Sequence, residues 1–157
     1  MFVCSVRGST LKLFGFIALT LVLVIVTVTV GTGEAVMAAA GENGINYGGI
    51  KTNGDRVAFI NNFGISVEES PLEEEKFTMP ENFDRVIEGY NEIQHRQGLD
   101  LSKYKKKKVT RYTYEVDGYE GYDGDVFVNI LVYRNKVIGC DVSSADPNGF
   151  VKGLIES

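Results

Sequence analysis

The chain has 157 residues, 44% hydrophobic and 24% charged, which suits one globular domain of ordinary composition rather than two. Acidic residues outnumber basic ones by 21 to 16, for a formal charge of -5, so the chain lacks the basic excess that nucleic-acid binders use on phosphates, and no nucleic-acid partner is expected. Two cysteines and one histidine exclude a disulfide framework, a four-cysteine zinc site and a multi-histidine metal centre.

Residues 13–33 carry no charge and are mostly Leu, Val, Ile, Phe and Thr. At about 1.5 Å per residue a helix of that length reaches roughly 30 Å, the thickness of a bilayer's hydrocarbon core. The β-branched run 22–30 would favour a strand in water, but in lipid only a helix satisfies every backbone group within one segment. Arg7 and Lys12 precede the run and Glu34 is the first charge after it, which predicts a cytoplasmic N-terminus at 1–12, a transmembrane helix at 13–33 and the remainder outside. The competing reading makes 13–33 the core of a cleaved signal peptide, with an A-x-A site at Ala38, Ala39 and Ala40 and a secreted product beginning at Gly41. The length of the apolar run favours the retained anchor. Through that retained helix the lipid bilayer is the first expected partner.

Cys4 precedes the apolar run and Cys140 lies near the other end of the chain, so the two are expected in different compartments. Ile138, Cys140 and Val142 alternate as core-facing strand residues do, which makes Cys140 a small buried hydrophobe rather than a reactive thiol. Residues 34–51 are small, polar and rich in glycine, and read as a flexible tether. The extracytoplasmic domain is expected at 52–157.

Within it, Thr52 and Asn53 can cap a short helix carrying Val57, Ile60 and Phe63 and stopping at Gly64. Residues 65–67 suggest a short strand. Glu68, Glu69, Glu73, Glu74 and Glu75 around Pro71 then read as an acidic, solvated loop. Thr78 and Glu81 have capping-box spacing, which predicts a helix over 80–97 with Phe83, Val86, Ile87, Tyr90 and Ile93 in one arc and Gly98 as its stop. Gln94 and Gln97 share that arc, and either sit at its rim or enter the core bonded to strand backbone. His95 falls on the polar side, with no partner in sequence to orient it for catalysis. Four lysines, Lys105, Lys106, Lys107 and Lys108, read as an exposed turn able to touch lipid headgroups, an anionic wall polymer or an acidic partner.

Strands are expected over 109–116, 126–133 and 136–143, the last two joined tightly through Arg134 and Asn135. The fold class is α+β: a small antiparallel meander with two helices covering one face. In the loop 117–125, Asp117, Glu120, Asp123 and Asp125 could offer oxygens to calcium, though their spacing is not that of an EF-hand and exposed turns share this composition. Tyr112, Tyr114, Tyr119, Tyr122 and Tyr133 crowd the meander, as a stacking surface or, more often, as core. No nucleophile with a base, carboxylate dyad or phosphate loop can be placed, so no catalytic, cofactor-binding or metal residue and no cofactor is assigned.

Pro80, the Tyr90-Asn91 pair, the helix end from Gln94 to Gly98, the strand through Arg111 and Tyr114, and the stretch from Ile138 to Asp141 together resemble an uncharacterised bacterial family, domain of unknown function 4830. The likeness spans about 55–154. It implies a domain behind an N-terminal membrane or signal segment and brings no activity, substrate or cofactor. A glycine is common in that family where Cys140 stands. The expected function is therefore a membrane-anchored binding or envelope accessory module, whose further partner would be an envelope protein or a cell-wall polymer. A secreted form is the first alternative and a small hydrolase a less favoured one.

Overall fold

The computed structural model describes residues 44–155. The expectations for 1–12, 13–33, Cys4, the Ala40 cleavage site and the first part of the tether lie outside the described residues. Among the described residues no helix is long and apolar enough to cross a membrane.

The elements follow in the order α1 (Asn53–Asn61), β1 (Glu73–Thr78), α2 (Arg85–Arg96), a 3-10 turn (Leu101–Tyr104), β2 (Lys108–Glu115), β3 (Val126–Tyr133), β4 (Lys136–Ser144) and β5 (Val151–Lys152). The fold is α+β. Its sheet has the order β1-β2-β3-β4-β5 with every pair antiparallel, so the expected meander is present with an extra strand at each edge.

Strand β1 corrects the reading of 68–75 as a loop. Its burial alternates, with Glu73, Glu75 and Phe77 turned inward and Glu74, Lys76 and Thr78 outward. The cause is tertiary: Arg111 on β2 lies in register with Glu75, and its guanidinium meets Glu73 at 3.1 Å and Glu75 at 3.0 Å. Opposite charges across neighbouring strands offset the poor strand propensity of glutamate.

The expected capping box at Thr78 is also corrected. Thr78 is the last rung of β1, and Met79 beyond it is tied through its backbone to Lys106 and Lys107. The helix starts later, at Asp84, whose carboxylate accepts from the amides of Val86 (3.0 Å) and Ile87 (2.9 Å). The capping of α1 is as expected at Thr52, reinforced by a reciprocal bond from the Thr52 amide to Asp55.

The two helices take different faces, not one. Phe59 and Ile60 of α1 pack with Tyr114, Val128, Ile130, Cys140 and Val142. On the other face Phe83 and Tyr90 pack with Val109, Leu131 and Ile138, together with Leu101 of the 3-10 turn. A bulge between Leu131 and Val132 shifts the register of the β3–β4 hairpin, so that Val137 joins the first core and Ile138 the second. The hairpin turns through Arg134 (φ 46°) and Asn135 (φ 63°), both left-handed as a two-residue turn of matching twist requires.

The last residues of the expected tether, 47–50, belong to the folded domain. Tyr47 and Ile50 are core residues, Gly48 bridges to Lys136, and the Val137 amide donates to the Tyr47 carbonyl at 2.8 Å. This segment closes the first part of β4's outer edge, β5 closes the last part, and the glutamines of α2 close the middle.

Candidate functional site

Gln94 and Gln97 enter the core and act there as a lock. Gln94 Oε1 accepts from the Cys140 amide at 2.8 Å, and Gln97 Nε2 donates to the Cys140 carbonyl at 2.8 Å. Gln97 Oε1 also accepts from the Leu154 amide at 2.8 Å. Two side-chain amides thus replace a missing stretch of neighbouring strand, and α2 buries its polar residues Asn91 and Gln94 while Val86 stays exposed. Cys140 lies inside this lock. Its thiol is fully buried, donates to Gln97 Oε1 at 3.4 Å, and is pushed far up from the usual thiol range by burial and by Asp141. It behaves as a small apolar residue, as the alternation of its strand suggested.

A second set of polar groups lines the sheet face under α2. Asp141 accepts from the Tyr90 hydroxyl at 2.6 Å and from Asn129 Nδ2 at 3.0 Å, while Asn129 also contacts Thr113 (2.8 Å) and Ser143 (3.2 Å). Burial raises the Asp141 carboxyl above its ordinary range, and burial together with Asp141 raises Tyr90 well above the tyrosine range. The network cross-links α2 to three strands. It was not anticipated in sequence, although the in-register order Thr113, Asn129, Asp141 is visible once the strands are paired.

His95 has a partner the sequence did not nominate. Its Nε2 stands 3.3 Å from Asp100, whose carboxylate also accepts from Asn91 Nδ2 at 3.3 Å and from the Ser102 amide at 2.9 Å. Burial works against the charged form of Asp100, but these hydrogen bonds outweigh it and hold its carboxyl well below the usual range. The group caps the 3-10 turn, which makes its role here one of architecture.

The tyrosines do not form a stacking surface. Tyr114 is fully buried, its hydroxyl donating to Asn53 and accepting from Arg56, both at 2.8 Å. Tyr112 lies under the Arg56 guanidinium, Tyr119 and Tyr122 pack on Phe150, and Tyr133 packs on Tyr104. Asp117, Glu120, Asp123 and Asp125 are all exposed, and among the described residues no group of three or more His, Cys, Asp or Glu is placed to hold a metal.

The two ends of the sheet differ in charge, while exposed charges of both signs, among them Glu74, Lys76, Asp84, Arg85, Glu88, Glu92 and Arg96, lie on and beside β1 and α2. Lys105, Lys106, Lys107 and Lys108 form a turn at the end of the sheet where β1 stops and β2 starts, with Lys106 left-handed (φ 62°). The register of β2 with β3 brings the 134–136 turn to the same end, adding Arg134 and Lys136, and the 3-10 turn adds Lys103. All seven cations are exposed; Glu81 answers Lys106, and Asp100 approaches Lys103 at 3.8 Å. At the far end lie Glu68, Glu69, Glu115, Asp117, Glu120, Asp123, Asp125 and Asp146, all exposed. Glu68 is tied there by its amide to the Glu115 carbonyl, and Asp125 by its carbonyl to the Ala145 amide. Strands of eight residues separate the two ends by about 25 Å. The sequence showed the four central lysines but not the other three: strand register brings Arg134 and Lys136 beside them, and the 3-10 turn brings Lys103.

The segment 59–142, which holds the last three residues of α1 together with β1, α2, β2, β3 and most of β4, matches the family described as Domain of unknown function (DUF4830). The match covers more than half of the chain. The chain belongs to this family. Within the DUF4830 segment lie Gln94, Gln97 and Cys140 of the lock, Tyr90, Thr113, Asn129 and Asp141 of the second network and the whole basic end, whereas Tyr47, Ile50, Ser143 and Gln97's partner Leu154 lie beyond its limits. No curated protein and no solved structure matches the chain.

Proposed function

We propose that this DUF4830 protein is a membrane-anchored extracytoplasmic binding module, with 1–12 cytoplasmic and 13–33 spanning the bilayer. It acts through its surface charge rather than by catalysis. The observation that carries the binding part is the cluster of seven exposed cations at one end of the sheet and of eight exposed acids at the other, while the groups with chemical potential are engaged in structural bonds: Cys140 and Gln97 in the edge lock, Asp141 with Tyr90, Tyr114 with Arg56. Long-range fields of this kind steer and orient a domain against a charged partner. The anchor rests on the uncharged run 13–33 with Arg7 and Lys12 before it. The second reading, a secreted form starting at Gly41, rests on the three alanines ending at Ala40.

Expression in a bacterial host followed by fractionation and intact-mass measurement tests both. An intact chain extracted only by detergent supports the anchor. A soluble exported product beginning at Gly41 replaces it with the secreted module, and an intact chain in the cytosol overturns both readings.

A further inference from the structure

The chain enters the described domain next to its basic end. Gly48 bridges to Lys136, and the Ile50 amide donates to the carbonyl of Asn135, in the turn that carries Arg134 and Lys136. Thirteen residues, 34–46, separate this entry from the uncharged run, and for any flexible chain of thirteen residues the average end-to-end distance is about 20 Å. A reach of that order lets the basic end come within one Debye length of the surface, about 8 Å at physiological salt, where the attraction of its exposed cations is not yet screened.

We propose that the basic end is the face by which the tethered domain rests on an anionic lipid surface, with the acidic end turned away. This rests on the anchored reading above. The chemistry of the patch fits headgroups: six of its seven cations are lysines, point charges on flexible stems that suit a fluid layer of phosphates better than a single anion held in fixed geometry. The Lys105 ammonium lies 4.8 Å from the ring centre of the half-buried Phe83, so the same end also carries apolar surface at headgroup depth. A field that attracts seven cations repels the eight acids at the other end, and both effects favour one orientation.

The test uses the full chain reconstituted into vesicles of phosphatidylcholine alone or with about 30% phosphatidylglycerol, in low salt and in about 0.5 M salt. Lysine acetylation by a water-soluble reagent is followed residue by residue by mass spectrometry, with Lys152 as internal reference. The expected result is acetylation at Lys103, Lys105, Lys107 and Lys136 slowed about fivefold by anionic lipid and restored by salt, fivefold being roughly 1 kcal/mol per lysine. The triple variant Lys105→Gln, Lys107→Gln, Lys108→Gln should lose the protection of Lys103 and Lys136, and the corresponding arginine variant should keep it. Equal labelling on neutral and anionic vesicles overturns the proposal. So does protection by soluble lipoteichoic acid on neutral vesicles without protection by anionic lipid, which would assign the face to a wall polymer. Flotation with neutral vesicles reports the anchor separately: a chain that fails to float there refutes the anchor, and the labelling contrast on anionic vesicles still decides the lipid face.

Discussion

Gln97 reaches β4 and Leu154 only because nothing stands on Gly153. A Cβ there would lie 2.6 Å from Gln97 Cδ and 2.9 Å from both amide heteroatoms, closer than real Cβ contacts come. Gly153→Ala should therefore displace the amide from Cys140 and Leu154 and lower unfolding stability in urea by about 1–3 kcal/mol. An unchanged midpoint would mean the edge bonds contribute little. Asp100 supplies the pH dependence at this scale. Its folded pKa is depressed, so its contribution is complete above the unfolded value of about 3.9 and is lost as pH falls through the folded one. Wild type should exceed Asp100→Asn in stability at pH 6, and the difference should shrink steadily as urea melts are repeated toward pH 2. A difference that is constant or grows in acid would remove the carboxylate from this role. At the level of residues the sequence was informative where a side chain's alternatives were few: the amides of Gln94 and Gln97 could only sit at a rim or bond to strand, and Cys140 alternated with apolar neighbours. It was silent on Asp100 and His95 because their meeting depends on how the chain turns after Gly98.

Helix α2 is the element where local signal and tertiary demand differ most. Thr78 and Glu81 spell a helix start, yet Thr78 is claimed by pairing with Lys108, and Asp84 caps instead. Likewise Glu73, Glu74 and Glu75 read as a loop until Arg111 supplies the countercharge across the strand. Both failures share a cause, since pairing partners some thirty or more positions away decide the outcome. The long strands were legible because their own apolar alternation suffices, and the turn at Arg134 and Asn135 because a two-residue link between them leaves few geometries. Within α2, Gly89 is exposed at mid-helix, and a methyl group added to it would meet nothing within 4 Å. Gly89→Ala should stabilise the domain by about 0.5–1 kcal/mol, while Asp84→Ala should destabilise it by about 1 kcal/mol through loss of two capping bonds. Thermal melts of the two variants should move in opposite directions, and a loss on Gly89→Ala would mean that the helix packs there.

At the scale of the whole molecule the decisive question is where the folded body begins. Composition places the boundary at 52, because glycines and small polar residues fill 34–51. The structure places Tyr47 at 4% and Ile50 at 6% exposure, with the Tyr47 ring 6.0 Å from that of Phe59 and its hydroxyl bonded to the Gln97 carbonyl. Burial and the neighbouring Cys140 push that hydroxyl up to about 12, so it stays a proton donor through the physiological range. Two apolar residues among glycines carry no periodicity, which is why the segment resembles a tether in sequence and is a strand-like clasp in the fold. Removing it would expose part of β4's edge, including the Val137 amide, and forfeit two core side chains at about 1.5–3 kcal/mol each. Against the roughly 5–15 kcal/mol that stabilises a domain of this size, that is a large share. A chain beginning at residue 52 should therefore melt far below one beginning at residue 44, or fail to fold. Replacing both Tyr47 and Ile50 by alanine in the longer chain should reproduce most of the loss. Equal melting of the two chains would return the boundary to 52 and detach the basic end from the point of chain entry.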